Sequence, residues 1–327
     1  MTTDARRQVT VAVETAATVD AARRLGVLRR LAASPRTPAE LAADLSLDPS
    51  ATGRILDTLG RLGLLQRDQR GSFGADPATV RCFETITEAW GELSEVVRTG
   101  TPPTRADTVA GAMMLYPVMV TCLSGWFAPA AARLGELLSP PPARILDVGV
   151  GAAPWSIAVA ARGEHTHVTA LDLPPVLEVT RQAVAEAGLT ARFSYLPGDI
   201  FTTELPADSY DLALIGNVCH LFDPARNRTL LANLRRSIRP GGRIAIVDVL
   251  PATDPAEQLT ISRYELGLLL RTSAGRVHPF AAYRAWATEA GFHGLAPFAL
   301  SSDPPLSLLL SRSTGTAGSS SSIPRSA

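Results

Sequence analysis

The stretch Ile145-Leu146-Asp147-Val148-Gly149-Val150-Gly151-Ala152-Ala153-Pro154 decides the fold. Residues 145–148 read as a short buried strand. Two alternate glycines follow, and then a helix with proline near its start. Strand, glycine loop and helix in that order form the first crossover of an open α/β sheet. Glycine lets a backbone approach a ligand where a Cβ would collide.

Downstream, strands and helices alternate. Residues 168–171, 193–196, 210–215 and 242–250 read as strands. Residues 176–187, 225–238, 258–272 and 280–290 read as helices. Residues 295–300 and 306–311 read as two final strands joined by a short loop. The pattern predicts an α/β domain with a mostly parallel, seven-stranded sheet and an antiparallel edge.

The ends of these strands carry acids. Asp172 closes the second strand, 23 residues past Gly149. A carboxylate there can accept hydrogen bonds from both hydroxyls of a ribose. Gly198-Asp199-Ile200 follows the third strand, where an adenine amino group could be read. A glycine pair alone is a weak signal; the pair and two strand-tip acids together are a much stronger one. The dinucleotide fingerprint would place its third glycine at 154, which is Pro154. A pyrophosphate needs free amides at a helix N-terminus, and proline removes one. A nucleoside sulfonium has no phosphate, so S-adenosylmethionine is the expected cofactor and S-adenosylhomocysteine its product.

Upstream, Val11, Ala12, Thr15, Ala16, Val19, Ala22, Leu25, Leu28 and Leu31 recur at helical spacing. Thr37-Pro38-Ala39-Glu40 is a capping box with proline at the first helical position. Asp48-Pro49-Ser50 opens a third helix with Ile55, Leu56, Leu59 and Leu62 on one face. Residues 63–65 start a strand, and a polar turn follows before Phe73. Helices and a small hairpin predict a winged helix. Arg54 and Arg61 on the third helix, with Arg67 and Arg70 in the wing, are few cations for a phosphate-positioning face. A packing or dimerisation module is expected instead. Residues 81–140 look helical and apolar, with Met113, Met114, Tyr116, Met119, Trp126 and Phe127 among them. They suit core, interface or a flat apolar ligand. Pro140-Pro141-Pro142 marks a boundary. The expected organisation is a winged-helix domain over 1–105, linking helices over 106–142, a cofactor-binding domain over 143–312 and a disordered tail over 313–327.

Composition removes several chemistries. All 31 basic residues are arginine, so a lysine Schiff base and a P-loop lysine are excluded. The 31 acids bring the net charge to zero, which argues against a general nucleic-acid binder. Cys82, Cys122 and Cys219 are widely spaced, which argues against a disulfide framework or a zinc ribbon. A reducing cytoplasm is the simplest expected setting. The N-terminus does not read as a secretory signal, and no apolar run reaches the ~18 residues that span a membrane.

In order along the chain, these motifs resemble the two-domain S-adenosylmethionine-dependent O-methyltransferases of plants and bacterial natural-product pathways. The resemblance rests on the winged-helix N-terminus, Trp90 with Val97-Arg98-Thr99-Gly100, the 145–151 loop and Leu171-Asp172-Leu173-Pro174. It continues through Gly198-Asp199-Ile200-Phe201, Asn217-Val218-Cys219-His220, Arg239-Pro240-Gly241-Gly242, Asp248-Val249-Leu250-Pro251 and Glu289-Ala290-Gly291-Phe292. It implies a Rossmann-like class I methyltransferase domain and a winged helix used for homodimerisation. It implies cofactor contacts from Gly149, Gly151, Asp172, Leu173, Asp199, Ile200, Gly216 and Asn217. His220 is then the general base and Asp248 the acid that steadies it. Met113, Tyr116, Trp126, Phe127, Tyr264, Leu268 and Thr272 would line the pocket for a small-molecule acceptor, an aromatic or polyketide-like hydroxyl compound. No metal is implied, and neither nucleic acid nor membrane is an expected partner.

The family pattern is not fully kept. The third position of the glycine set is Ala153, and Leu221-Phe222 follow His220 where relatives read Asp-Trp. A second flanking acid is replaced near Arg276-Val277-His278. Some relatives keep the cofactor but have turned to decarboxylation, hydroxylation or pericyclic reactions, which stay open as alternatives. A ligand-sensing winged-helix regulator is a further one. Of the other histidines, His165, His167 and His293 read as solvated surface, and His278 as a pocket candidate.

Overall fold

The structure is a computed structural model that describes residues 3–311. The tail expected over 313–327 lies outside the described residues. The chain divides into two compact units, Met1–Gly91 and Glu92–Ala327. The division falls earlier than the boundary expected at 105. The segment just beyond it is tied to the second unit: Ala106 N–H donates to Arg271 O at 2.7 Å, and the Arg226 guanidinium donates to Asp107 O at 2.6 Å.

The first unit contains α1 (Thr3–Arg24), α2 (Val27–Ala33), α3 (Pro38–Leu45), α4 (Pro49–Arg61), β1 (Gln66–Arg67), β2 (Phe73–Gly74) and α5 (Pro77–Gly91). The apolar repeat from Val11 to Leu31 is two helices rather than one. Gly26 takes a left-handed φ of 74° between them, a conformation that glycine adopts without cost. The capping box of α3 is formed: Thr37 N–H donates to Glu40 Oε2 at 2.8 Å, and Glu40 N–H donates to Thr37 Oγ1 at 3.3 Å. The hairpin β1–β2 is antiparallel. Leu28, Leu31, Leu41, Leu56, Leu59 and Phe73 form the core of this unit, whereas Val9, Val11 and Val13 of α1 are exposed.

The second unit starts with α6 (Leu93–Thr99), α7 (Val109–Ser124) and α8 (Ala128–Leu137). The α/β part follows as β3 (Arg144–Val148), α9 (Pro154–Ala160), β4 (His167–Asp172), α10 (Pro174–Glu186), β5 (Phe193–Pro197) and β6 (Tyr210–Gly216). Then come α11 (Pro224–Ser237), β7 (Ile238–Asp248), α12 (Pro255–Leu269), α13 (Phe280–Glu289), β8 (Ala296–Ser302) and β9 (Pro305–Leu310). The seven-stranded sheet has the order β5-β4-β3-β6-β7-β9-β8. Strands β3 to β7 pair in parallel, and β9 runs antiparallel to both β7 and β8. This is the sheet expected from the sequence. Strand β7 begins at Ile238 rather than 242, because the register against β6 shifts across Arg239-Pro240-Gly241-Gly242, where Gly241 has φ 79°. Leu146, Val148, Leu171, Leu214, Ile246 and Leu308 are among its fully buried side chains.

No single helix among the described residues is long and apolar enough to cross a membrane. Cys219 is buried and free.

Candidate active site

Chain order reverses around β3, with β4 on one side and β6 on the other. In open α/β sheets the crevice beyond the strand C-termini at such a point receives ligands. The glycine loop lies there. Gly149 and Gly151 have φ of 66° and 57°, and Ala153 follows at 58°. A Cβ at Gly149 would stand 2.6 Å from Val218 Cγ2, so the loop closes only without one. Ala153, where the family pattern expects glycine, holds its left-handed φ as the residue preceding α9.

Asp172 ends β4 and is turned toward this loop. Its Oδ2 accepts from Gly151 N–H at 2.9 Å and its Oδ1 from Leu173 N–H at 2.7 Å. A carboxylate offers about four acceptor positions, so each oxygen retains capacity for a further donor. Burial pushes Asp172 up to about 6, against the pull of the two backbone donors. Asp147, at the end of β3, is fully buried and its Oδ2 has no hydrogen-bond partner. Burial pushes this acid up to about 7, with a smaller opposing pull from Ser156. Asp199 accepts from Phe201 N–H at 3.0 Å and is followed by half-buried Ile200.

Gly216 closes β6. A side chain there would collide with the buried indole of Trp155, which stacks at 5.3 Å on Phe127. Trp155 escaped the sequence reading because an aromatic in the first turn of a helix looks like ordinary core. Asn217 follows at φ 59°, donates its N–H to Val247 O at 2.8 Å, and has a buried Oδ1 without a partner.

His220 lies in a 3₁₀ turn, Cys219–Leu221, just beyond β6, and is only 2% exposed. Its Nδ1 meets Asp248 Oδ1 at 2.6 Å, at the end of β7. The carboxylate is otherwise filled: Oδ1 accepts from Val249 N–H at 2.9 Å, and Oδ2 from His220 N–H at 3.2 Å and Tyr283 Oη at 2.9 Å. An imidazole that donates through Nδ1 presents Nε2 as an acceptor. The Tyr264 hydroxyl of α12 lies over the imidazole, 2.8 Å from Nε2 and 3.3 Å from Nδ1. Burial holds the phenols of Tyr264 and Tyr283 well above the usual range. The sequence reading missed Tyr283, because no motif marks a tyrosine on the next helix as a partner of β7.

The other acceptor-pocket residues separate into two groups. Tyr116 of α7 buries a hydroxyl without a partner, and burial pushes it up to about 12 against the pull of the Arg271 guanidinium. Leu268 is fully buried, and Thr272 turns its hydroxyl onto Leu268 O at 2.8 Å. Met113 and Trp126, by contrast, are 40% and 59% exposed. His278 is buried, with Nε2 at 2.9 Å from Phe222 O. Burial lowers its pKa below the imidazole range. Arg276-Val277-His278 contains no acid, and Tyr283 is a further side chain that steadies Asp248.

The O-methyltransferase domain family matches residues 138–293, and the IclR helix-turn-helix domain family matches residues 21–69. The chain is similar to the tetracenomycin polyketide synthesis 8-O-methyl transferase TcmO of Streptomyces glaucescens, at 24% identity, covering 92% of this chain and 94% of that one. Over a shorter stretch it is similar to 3-hydroxy-5-methyl-1-naphthoate 3-O-methyltransferase of Streptomyces sahachiroi, at 30% identity, covering 45% of this chain and 42% of that one. Its fold is similar to that of human N-acetylserotonin methyltransferase solved with S-adenosylmethionine. The TM-score is 0.72 at 21% identity, covering 96% of this chain and 99% of that one.

Proposed function

Because the chain belongs to the S-adenosylmethionine-dependent O-methyltransferases of the plant and bacterial type, we propose that it methylates a hydroxyl of an aromatic or polyketide-like small molecule, with His220 as general base. One observation carries this reading. The buried Asp248 carboxylate holds the His220 imidazole through Nδ1 at 2.6 Å, which leaves Nε2 as the nitrogen that can accept a proton.

The residues at the strand ends fit the cofactor. The loop at Gly149 admits no Cβ, and the buried Asp147 Oδ2 and Asn217 Oδ1 lack partners. Such oxygens suit a ligand that carries cationic and hydrogen-bond-donating groups. In this reading Gly149 and Gly151 lie against the cofactor with Leu173 beside them. Asp172 takes the ribose hydroxyls, and Asp199 and Ile200 take the adenine. Gly216 and Asn217 close the remaining side. When bound, S-adenosylmethionine supplies a methyl group already activated as a sulfonium. The protein then has to align the acceptor and accept its proton. Tyr116, Phe127, Tyr264, Leu268 and Thr272 are the proposed acceptor wall, with Met113 and Trp126 at its exposed rim. Homodimerisation through the first unit fits Val9, Val11 and Val13, which are 59%, 51% and 62% exposed on α1.

The test is incubation with S-adenosylmethionine and a panel of hydroxylated naphthoates, anthraquinones and simpler phenols, followed by mass analysis. The expected result is one added methyl, placed on oxygen by fragmentation. Cofactor binding with no methylated product across the panel would count against this acceptor class.

A further inference from the structure

Asn227 stands where the helix pattern calls for a hydrocarbon. At helical spacing it shares the inner face of α11 with Leu230, Leu231 and Leu234, and like them it is fully buried. A buried amide is costly unless its groups are paired, and asparagine is a poor helix former. We propose that Asn227 is a positioning residue that fixes the turn carrying His220, and through it the direction of the imidazole. This inference rests on the reading of His220 as base.

The amide Nδ2 donates toward three main-chain carbonyls: Cys219 O at 2.9 Å, Phe222 O at 3.1 Å and Asp223 O at 3.2 Å. The first two flank His220 along the chain, so one side chain ties both ends of its 3₁₀ turn. Turning the amide over would set Oδ1 against three carbonyl oxygens, so chemistry assigns the nitrogen to this side. Oδ1 has no partner among the described residues. An amide that leaves its acceptor unused is kept for its donors.

The turn needs those donors. A 3₁₀ turn has poorer hydrogen-bond geometry than an α-helix. Here Phe222 N–H reaches Cys219 O at 3.2 Å, and His220 N–H reaches Asp248 Oδ2 at 3.2 Å. The shorter ties come from elsewhere: Arg276 N–H donates to His220 O at 2.8 Å, and His278 Nε2 lies 2.9 Å from Phe222 O. Asn227 adds its own from a helix whose start is fixed, because Asp223 Oδ1 accepts from Arg226 N–H at 2.9 Å. The Arg226 guanidinium also lies 4.3 Å from the Phe222 ring centre. Consecutive residues of α11 thus grip the end of the turn, one by its carbonyl and one by its ring. If the turn relaxes, the imidazole leaves the Asp248 carboxylate and Nε2 loses its direction. In this role Asn227 moves no proton and meets neither acceptor nor cofactor.

The test uses Asn227→Leu, which keeps the shape and suits the apolar face but removes both donors, with Asn227→Ala beside it. Nitrogen NMR of histidine-labelled protein reads the His220 ring without substrate, its resonances assigned by their loss in His220→Ala. The wild type is expected to show one tautomer, protonated at Nδ1, and the variants a mixture of two, with the cofactor Kd unchanged by calorimetry. With the acceptor found in the mass screen, kcat should fall about 10- to 100-fold while the acceptor KM holds. A single Nδ1–H tautomer in a folded variant, or kcat equal to that of the wild type, would overturn the proposal. Loss of the fold in both variants would overturn it too, since Asn227 would then be a structural residue. Full activity in His220→Ala, with mixed tautomers in Asn227→Leu, would remove His220 as base and leave the positioning of its ring in place.

Discussion

The glycine loop after β3 and the histidine turn after β6 stand at neighbouring strand ends, yet their carboxylates are kept in opposite conditions. Asp147, beside the loop, is fully buried with one oxygen unpartnered. Asp248, behind the histidine, is equally buried and accepts four hydrogen bonds. A buried carboxylate short of donors is costly until a cation or donor arrives. A saturated one is rigid and holds its neighbour in a single orientation. The first condition suits a side that waits for a charged ligand, and the second suits a side that must keep an imidazole in one tautomer.

Four measurements can break or sharpen this contrast. The largest effect is expected from His220→Ala, which should cut turnover by about 10²- to 10⁴-fold and leave the cofactor Kd intact. Steady-state kinetics paired with calorimetry reads both, and a parallel loss of cofactor affinity would erase the division into two sides. Asp172→Ala should do the converse, raising the cofactor Kd roughly 10- to 100-fold through lost charge-assisted hydrogen bonds. An unchanged Kd would remove the ribose assignment.

The third concerns pH. Asp147 and Asp172 are raised to about 7 and about 6, so in the free protein both keep their proton to higher pH than an ordinary aspartate. A raised acid contributes stability that is complete below the unfolded-state pKa of ~3.9 and is lost as pH rises through the folded value. The free protein should therefore lose this contribution as pH rises through about 6 to about 7. His278, whose pKa is lowered, acts in the opposite sense, losing stability as pH falls through ~6.5, so the comparison of variants isolates the acids. In a thermal-shift series, Asp147→Asn should flatten the wild-type decline. Cofactor affinity should fall as pH drops through the same window, because a cationic ligand prefers the ionised acids. Identical pH profiles for the two proteins would show that Asp147 does not titrate as its burial implies.

The smallest effect is expected from Tyr283→Phe. It removes one of four donors from Asp248, so kcat should fall about 2- to 10-fold, with KM for the cofactor unmoved. The pH–rate profile should shift as well, which a purely structural role would not produce. A loss as large as that of His220→Ala would mean that the dyad is held by Tyr283 rather than by its own saturation.

The two sides also differ in how far they were legible. Gly149, Gly151, Asp172 and Asp199 each sit at the C-terminal tip of a strand, and strands declare themselves by short apolar runs. Their place at the strand ends follows from position along the chain, so reading the strands was enough to locate them. The same holds for the capping box of α3, whose two hydrogen bonds join residues three apart. His220 and Asp248 were reached as well, but through resemblance to a family rather than from spacing. The break at Gly26 was missed because the apolar spacing runs across it; only the left-handed φ ends the helix.

By itself, the sequence determined an open, mostly parallel sheet and a small helical unit ahead of it. These are local matters of periodicity, caps and glycine, settled within a few residues. Tertiary structure alone decided that Tyr264 meets His220 across 44 residues, and that Tyr283 holds Asp248 across 35. It also put the Trp155 indole in the space that a side chain at 216 would need. Those pairings depend on how α12, α13 and α9 pack against the sheet. A hydrogen bond between residues so far apart leaves no periodic trace in the chain, because its geometry exists only once the core has fixed both partners.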